Sequence, residues 1–159
     1  MEKRYSITLL IIYILLQSCS GNLTCSDFKS GRFFIPENKE LIEYTIENKD
    51  SVHNFTREHN KEINGYLIIR KEKTQIEWVN GENNGNPTYE KIEWINDCSY
   101  RLTYDEEKME LDEDQTYLNR NKGIVVEMTD FIGDCVKYKA SFKSPEGQLI
   151  SQNGTFCKE

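Results

Sequence analysis

The sequence predicts an all-β fold: an antiparallel up-and-down meander that curls or closes on itself, with one short helix. Three features point there. The nine Tyr, seven Phe and two Trp fall in short runs that alternate with polar residues rather than at helical spacing, which suits a pleated, half-buried surface. Turn residues separate successive runs, so eight or nine strands follow one another in order. A sheet of that size with open edges invites aggregation, and curling or closure removes the edges.

The elements follow in chain order. "GRFFIP" (31–36) meets "LIEYTIE" (41–47) across Glu37-Asn38-Lys39. "NGYLIIRK" meets "TQIEWVN" across a charged turn, and "GENNGNP" is a loop. "TYEKIEW" and "CSYRLTY" flank Asn96-Asp97, either as a hairpin or as one long bulged strand. A helix is expected over 113–121, because Asp112 can cap it, Gln115 sits three residues later, and Gly123 after Lys122 is a stop signal. "GIVVEMTDF" then turns at Gly133-Asp134 into a closing hairpin.

That last hairpin sets a register. In "CVKYKASF", Val136, Tyr138, Ala140 and Phe142 share one face and the polar residues the other. "SPEGQ" places Pro145 and Gly147 where a three-residue hairpin loop needs them. If Ser144 faces Gln148, then Phe142 faces Ile150, Val136 faces Phe156, and Cys135 lands opposite Cys157 on the outer face. Four cysteines beyond Cys19 allow three disulfide connectivities. The register selects Cys135–Cys157 and leaves Cys25–Cys98 as the second bridge. Loop entropy assigns these about 3 and about 4 kcal/mol.

The N-terminus argues for export. Residues 1–4 (MEKR) carry two cations, and an uncharged, largely apolar stretch follows through Ser18. This is the pattern of a signal peptide, forming an N-terminal signal helix. The run from Ile7 to Leu16 is about half the ~20 residues a spanning helix requires. Leu16-Gln17-Ser18-Cys19 resembles the lipobox of bacterial lipoproteins, in which the cysteine is acylated and becomes the mature N-terminus. The expected organisation is therefore a signal peptide over 1–18, a lipidated tether over 19–24, and a single β-domain over 25–159. Several acyl chains hold a protein stably on a membrane where one does not. No acidic run follows Cys19, so the expected location is the cell envelope, anchored in the outer membrane and facing the periplasm.

Composition narrows the partners. The chain carries a net charge of −7, and loss of a signal peptide bearing one net positive charge makes it −8. An acidic surface repels phosphate backbones, and no Lys/Arg cluster interleaves with aromatics, so nucleic acid is not an expected partner. No C-x-x-C occurs, and His53 and His59 in "HNFTREH" have no cysteine near them, so neither a metal nor another cofactor is expected. Flanked by Arg57 and Glu58, the two histidines read as a polar surface loop, since no nucleophile or phosphate-loop motif accompanies them. "DEEKMELDED" (105–114) holds seven carboxylates without EF-hand spacing and reads as a solvated charge run. Sequons at Asn22, Asn54 and Asn153 read as chance in a bacterial lipoprotein. Asp50-Ser51-Val52 resembles a short bacterial O-glycosylation signal.

The stretch "KIEWINDCSYRLTY" places Ile92, Trp94, Cys98, Tyr100, Leu102 and Tyr104 on one alternating set. Together with Cys25-Ser-Asp-Phe28-Lys-Ser-Gly31-Arg-Phe33 it resembles a group of small Bacteroidetes lipoproteins. That group combines C-x-x-F-x-x-G-x-F near the mature N-terminus with W-x-x-x-C-x-Y-x-L in mid-chain, then a helical insert and a "GIVVEM"-type strand. Such chains are sometimes labelled as a DNA topoisomerase IV subunit, a label that an acidic exported chain of 18.7 kDa does not support. The resemblance implies a lipocalin-like, or calycin-like, β-barrel and no established activity. The longer segment 50–64, Cys135 and Cys157 depart from the group's pattern.

On this reading Trp78, Trp94, Tyr100, Tyr104 and Tyr138 are the candidates to line a cavity for a small apolar ligand. The competing reading is that the same side chains pack a small barrel solid. The expected function is that of a monomeric, non-catalytic binding protein of the envelope. The alternative is a protein-interaction or inhibitor module acting on another envelope protein.

Overall fold

The structure, a computed structural model, describes residues 23–36, 65–79, 82 and 85–159. Eight strands run in sequential order: β1 (Gly31–Pro36), β2 (Gly65–Lys71), β3 (Thr74–Val79), β4 (Thr88–Asn96), β5 (Ser99–Tyr104), β6 (Ile124–Ile132), β7 (Cys135–Lys143) and β8 (Leu149–Lys158). Each pairs antiparallel with the next, and β1 also pairs with β8, so the sheet closes into a lipocalin-like barrel.

The predicted elements that fall on the described residues are present. β1 pairs along its whole length with β2, from Gly31 opposite Arg70 to Pro36 opposite Gly65; the expected strand over 41–47 lies outside the described residues. The other edge of β1 is taken by β8, through Phe33 opposite Lys158 and Phe34 opposite Cys157. β4 and β5 form a hairpin, the first of the two alternatives, with a register shift between Trp94 and Asn96. Helix α1 spans Glu113–Arg120, with the Asp112–Gln115 capping box formed in both directions. It ends where Lys122 and Gly123 take positive φ of 71° and 69°. Gly123 is confined to glycine because a Cβ there would run into the Leu102 carbonyl oxygen.

The closing hairpin has the predicted register: Val136 opposite Phe156, Phe142 opposite Ile150, and Cys135 opposite Cys157. Gly147 adopts φ 80°, and the Ser144 N–H donates to the Gln148 carbonyl at 2.8 Å. Both bridges, Cys25–Cys98 and Cys135–Cys157, are present. The expected signal peptide, Cys19, Asn22, Asp50-Ser51-Val52, His53, Asn54 and His59 lie outside the described residues.

One end of the barrel is solid. A 3-10 turn over Cys25–Phe28 lies across it, tied by Cys25–Cys98 to the β4–β5 turn. Phe28 and Phe33 are 0% exposed. The Phe28 ring lies 5.5 Å from those of Phe33 and Phe156 and 5.8 Å from that of Phe131. A bulge between Met128 and Asp130 shifts the alternation of β6, so Phe131 joins the cluster although Val126 and Met128 precede it on the inner face. Buried rings of this size each contribute about 1.5–3 kcal/mol by burial alone.

Candidate functional site: a half-polar barrel cavity

Above that cluster the barrel is hollow. A cavity of about 360 Å³ opens between the strands, a size in the range of roughly 300–1,000 Å³ that holds small ligands. One wall is apolar, built from Ile35, Ile68, Leu102, Ile124, Val126 and Ala140. The other is polar, and it rises from β2, β3 and β4 as Arg70, Gln75, Glu77 and Glu90. Tyr66, Tyr100, Tyr104 and Tyr138 stand between the two.

Arg70 marks the boundary between plug and cavity. It is 2% exposed, and its guanidinium lies 4.6 Å from the Tyr100 ring centre, 5.1 Å from Phe156 and 5.3 Å from Phe33. A desolvated guanidinium over aromatic faces is favourable by up to about 2 kcal/mol per contact. Its Nε donates to Gln75 Oε1 at 2.9 Å, Nη1 to the Phe28 carbonyl at 3.0 Å, and Nη2 to the Tyr100 hydroxyl at 2.7 Å. The bond to Phe28 fixes the plug from within. Gln75 in turn donates from Nε2 to Glu90 Oε2 at 2.6 Å. The relay follows from register, since Arg70 stands opposite Gln75 and Gln75 opposite Glu90.

The carboxyls resist ionisation. Burial pushes Glu90 up to about 8, with the neighbouring Glu77 adding to the rise while Gln75 and Arg70 oppose it. Burial likewise pushes Glu77 up to about 7 against the pull of Arg70. The cavity opening leaves part of Glu77 accessible, yet the walls remove enough water to disfavour its charge. Tyr104 and Tyr138 are each raised to about 12, chiefly by burial.

Three of the five predicted lining residues, Tyr100, Tyr104 and Tyr138, line this cavity. Tyr138 is accommodated by Gly154 opposite it, where any Cβ would meet its ring. The two tryptophans do not line it. Trp94 shares the inner face but sits lower, packed 5.0 Å from Tyr100, with its indole N–H donating to the Glu72 carbonyl at 2.8 Å. Trp78 points to the opposite face from Gln75 and Glu77, beside Leu67 in the ladder. The expected place of Trp78 in the lining is therefore corrected: on β3 Gln75 and Glu77 point in, and Ile76 and Trp78 point out.

The acidic segment also differs in one residue. Asp105 is buried and pairs with Lys91 at 3.1 Å and Lys108 at 3.4 Å. Its burial disfavours the charge, but the Lys91 bond, the Glu107 N–H and Lys108 outweigh this and hold the carboxyl below its usual range. Nearby, α1 is fastened to β5 by Asn119, which accepts from the Tyr104 N–H at 2.8 Å and donates to its carbonyl at 2.9 Å. Among the described residues no group of three or more His, Cys, Asp or Glu is placed to hold a metal ion.

No protein-family model, curated protein or solved structure matches the chain.

Proposed function

We propose that this is a lipid-anchored, non-catalytic protein of the cell envelope that holds a small, largely apolar molecule inside its barrel. The cavity carries the reading: the strands that pack solid around Phe28 open above Arg70 into a space lined on one side by aliphatic side chains. A barrel of eight strands has room either for packed side chains or for one small ligand. Here one end takes the first course and the other the second.

The anchor would be Cys19. Beyond it in the chain, Leu23 packs against the closed-end cluster and Cys25 is bridged there. The measurement is native mass spectrometry of the full chain exported with its own signal into an oxidising periplasm. The expected product is acylated at Cys19, lighter by four hydrogens for two disulfides, and accompanied by a non-covalent small-molecule mass. A bare polypeptide would count against the carrier reading.

The interaction-module reading has one feature in its favour. Leu149 is 68% exposed beside a groove lined by Arg101, Arg120, Lys122 and Lys143, a basic patch on an acidic chain. If the barrel comes out empty, crosslinking from this groove is the next experiment.

A further inference from the structure

Among the described residues, the charge inside the barrel is unbalanced. Arg70, Gln75 and Glu90 lie side by side across β2, β3 and β4, and Glu77 is the next inward residue of β3. One guanidinium thus shares a poorly hydrated space with two carboxyls. Its hydrogen bonds run to Gln75, the Phe28 carbonyl and Tyr100, and Glu90 is met by an uncharged amide. Glu77 takes no part in that relay. Among the described residues, the groups facing the two carboxyls from the remaining walls are Tyr66 on β2, Tyr100 and Tyr104 on β5, Tyr138 on β7 and Gln152 on β8. None of these brings a second positive charge.

We propose that the cavity is selective for small organic monocations: a protonated primary or secondary amine seated between Glu77 and Glu90, its hydrocarbon part on Ile68, Leu102 and Val126. This rests on the carrier reading and names the head group. An ammonium between the two carboxyls offsets the charge that burial otherwise suppresses, and the tyrosine rings add attraction for a desolvated cation. Carboxylate ligands fit poorly, because the guanidinium they would seek lies beneath Tyr100 and Phe156 with its bonds already made. An ammonium favours ionised carboxyls, so binding displaces their protons. With Glu77 near 7 and Glu90 near 8, amine affinity rises between pH 6 and pH 8, while a neutral ligand shows no such trend.

The test is calorimetric titration of the full-length chain with hexylamine, 1-hexanol and hexanoate at pH 8. Hexylamine is expected to bind at least about tenfold tighter than hexanol, with hexanoate weakest. Glu77→Gln and Glu90→Gln should each weaken hexylamine by about tenfold and leave hexanol within about twofold, the hexanol titration showing that each variant is folded. Hexanol or hexanoate binding as tightly as hexylamine would overturn the amine assignment and leave the carrier reading intact. A chain that binds none of the three would overturn both.

Discussion

At one end of the barrel Phe28 of the bridged 3-10 turn interlocks with Phe33, Phe131 and Phe156; at the other, β3, β4 and β5 carry Glu77, Glu90 and Tyr104 around open space. Arg70 divides them, with its Nη1 on the plug's backbone and its Nε on the cavity's polar wall. The difference shows how one strand serves two purposes by position along its length. β2 sets Tyr66 and Ile68 against the cavity and Arg70 at its boundary with the plug, and β8 sends Phe156 into the cluster while Gln152 reaches the mouth. Stability is concentrated where rings touch on all sides. Chemistry is concentrated where packing stops.

The contrast can be tested by truncating each end. Phe28→Ala should cost about 3–5 kcal/mol in urea unfolding, as large-to-small changes in closed cores do. Tyr104→Phe, at the mouth, should cost less than about 1 kcal/mol because the ring remains and no cavity is created. Equal costs at the two sites would erase the distinction between the ends.

Replacing Cys25 and Cys98 together by Ala should remove about 4 kcal/mol, and the Cys135–Cys157 pair about 3 kcal/mol, if loop entropy governs both. Unfolding in the presence and absence of reductant separates them. The first bridge holds the plug, so its loss should also speed hydrogen exchange around Phe28 while leaving the β6–β7 ladder protected. Uniform loss of protection would mean that the plug is not a separable unit.

Glu90 should give a smaller effect, with a sign opposite to that of ordinary surface carboxylates. It binds its proton more tightly folded than unfolded, so its contribution is fully present below the carboxyl's ordinary value of 4.5 and is lost as pH rises through about 8. Glu90→Gln should therefore match the parent near pH 4 and exceed it at pH 8 by on the order of 1–3 kcal/mol. A variant less stable than the parent at pH 8 would mean that the buried carboxyl is ionised and well paired.

Much of this architecture was legible in the sequence, for physical reasons. The β7–β8 register followed from two alternating strands and a turn whose glycine position is fixed, and it carried the cysteine pairing with it. The α1 boundaries followed from a capping box and a glycine stop. Long-range pairing was harder to read: β1 joins β2 across the segment 37–64, and sequence alone gives no register over such a separation. The polar half of the cavity was concealed by the rule that apolar residues face inward. In "TQIEWVN" Ile76 and Trp78 are the apolar set, yet Gln75 and Glu77 line the interior. A signal was present in "GYLIIRK", where Tyr66, Ile68 and Arg70 alternate, but Leu67 and Ile69 form an equally apolar opposite set. Only closure of the barrel chooses between two such faces.

The central claim is that the barrel is filled at one end and hollow at the other, and Ala140→Phe tests it most directly. Ala140 lies on the apolar wall of the cavity, with Val126 and Gln152 as its cross-strand neighbours. In a hollow interior the added ring occupies existing space, so urea unfolding should show a change within about 1 kcal/mol of the parent, or a gain, together with loss of small-molecule binding. A destabilisation of roughly 1–3 kcal/mol, the usual result of overpacking, would show that the upper barrel is already full and would contradict the account.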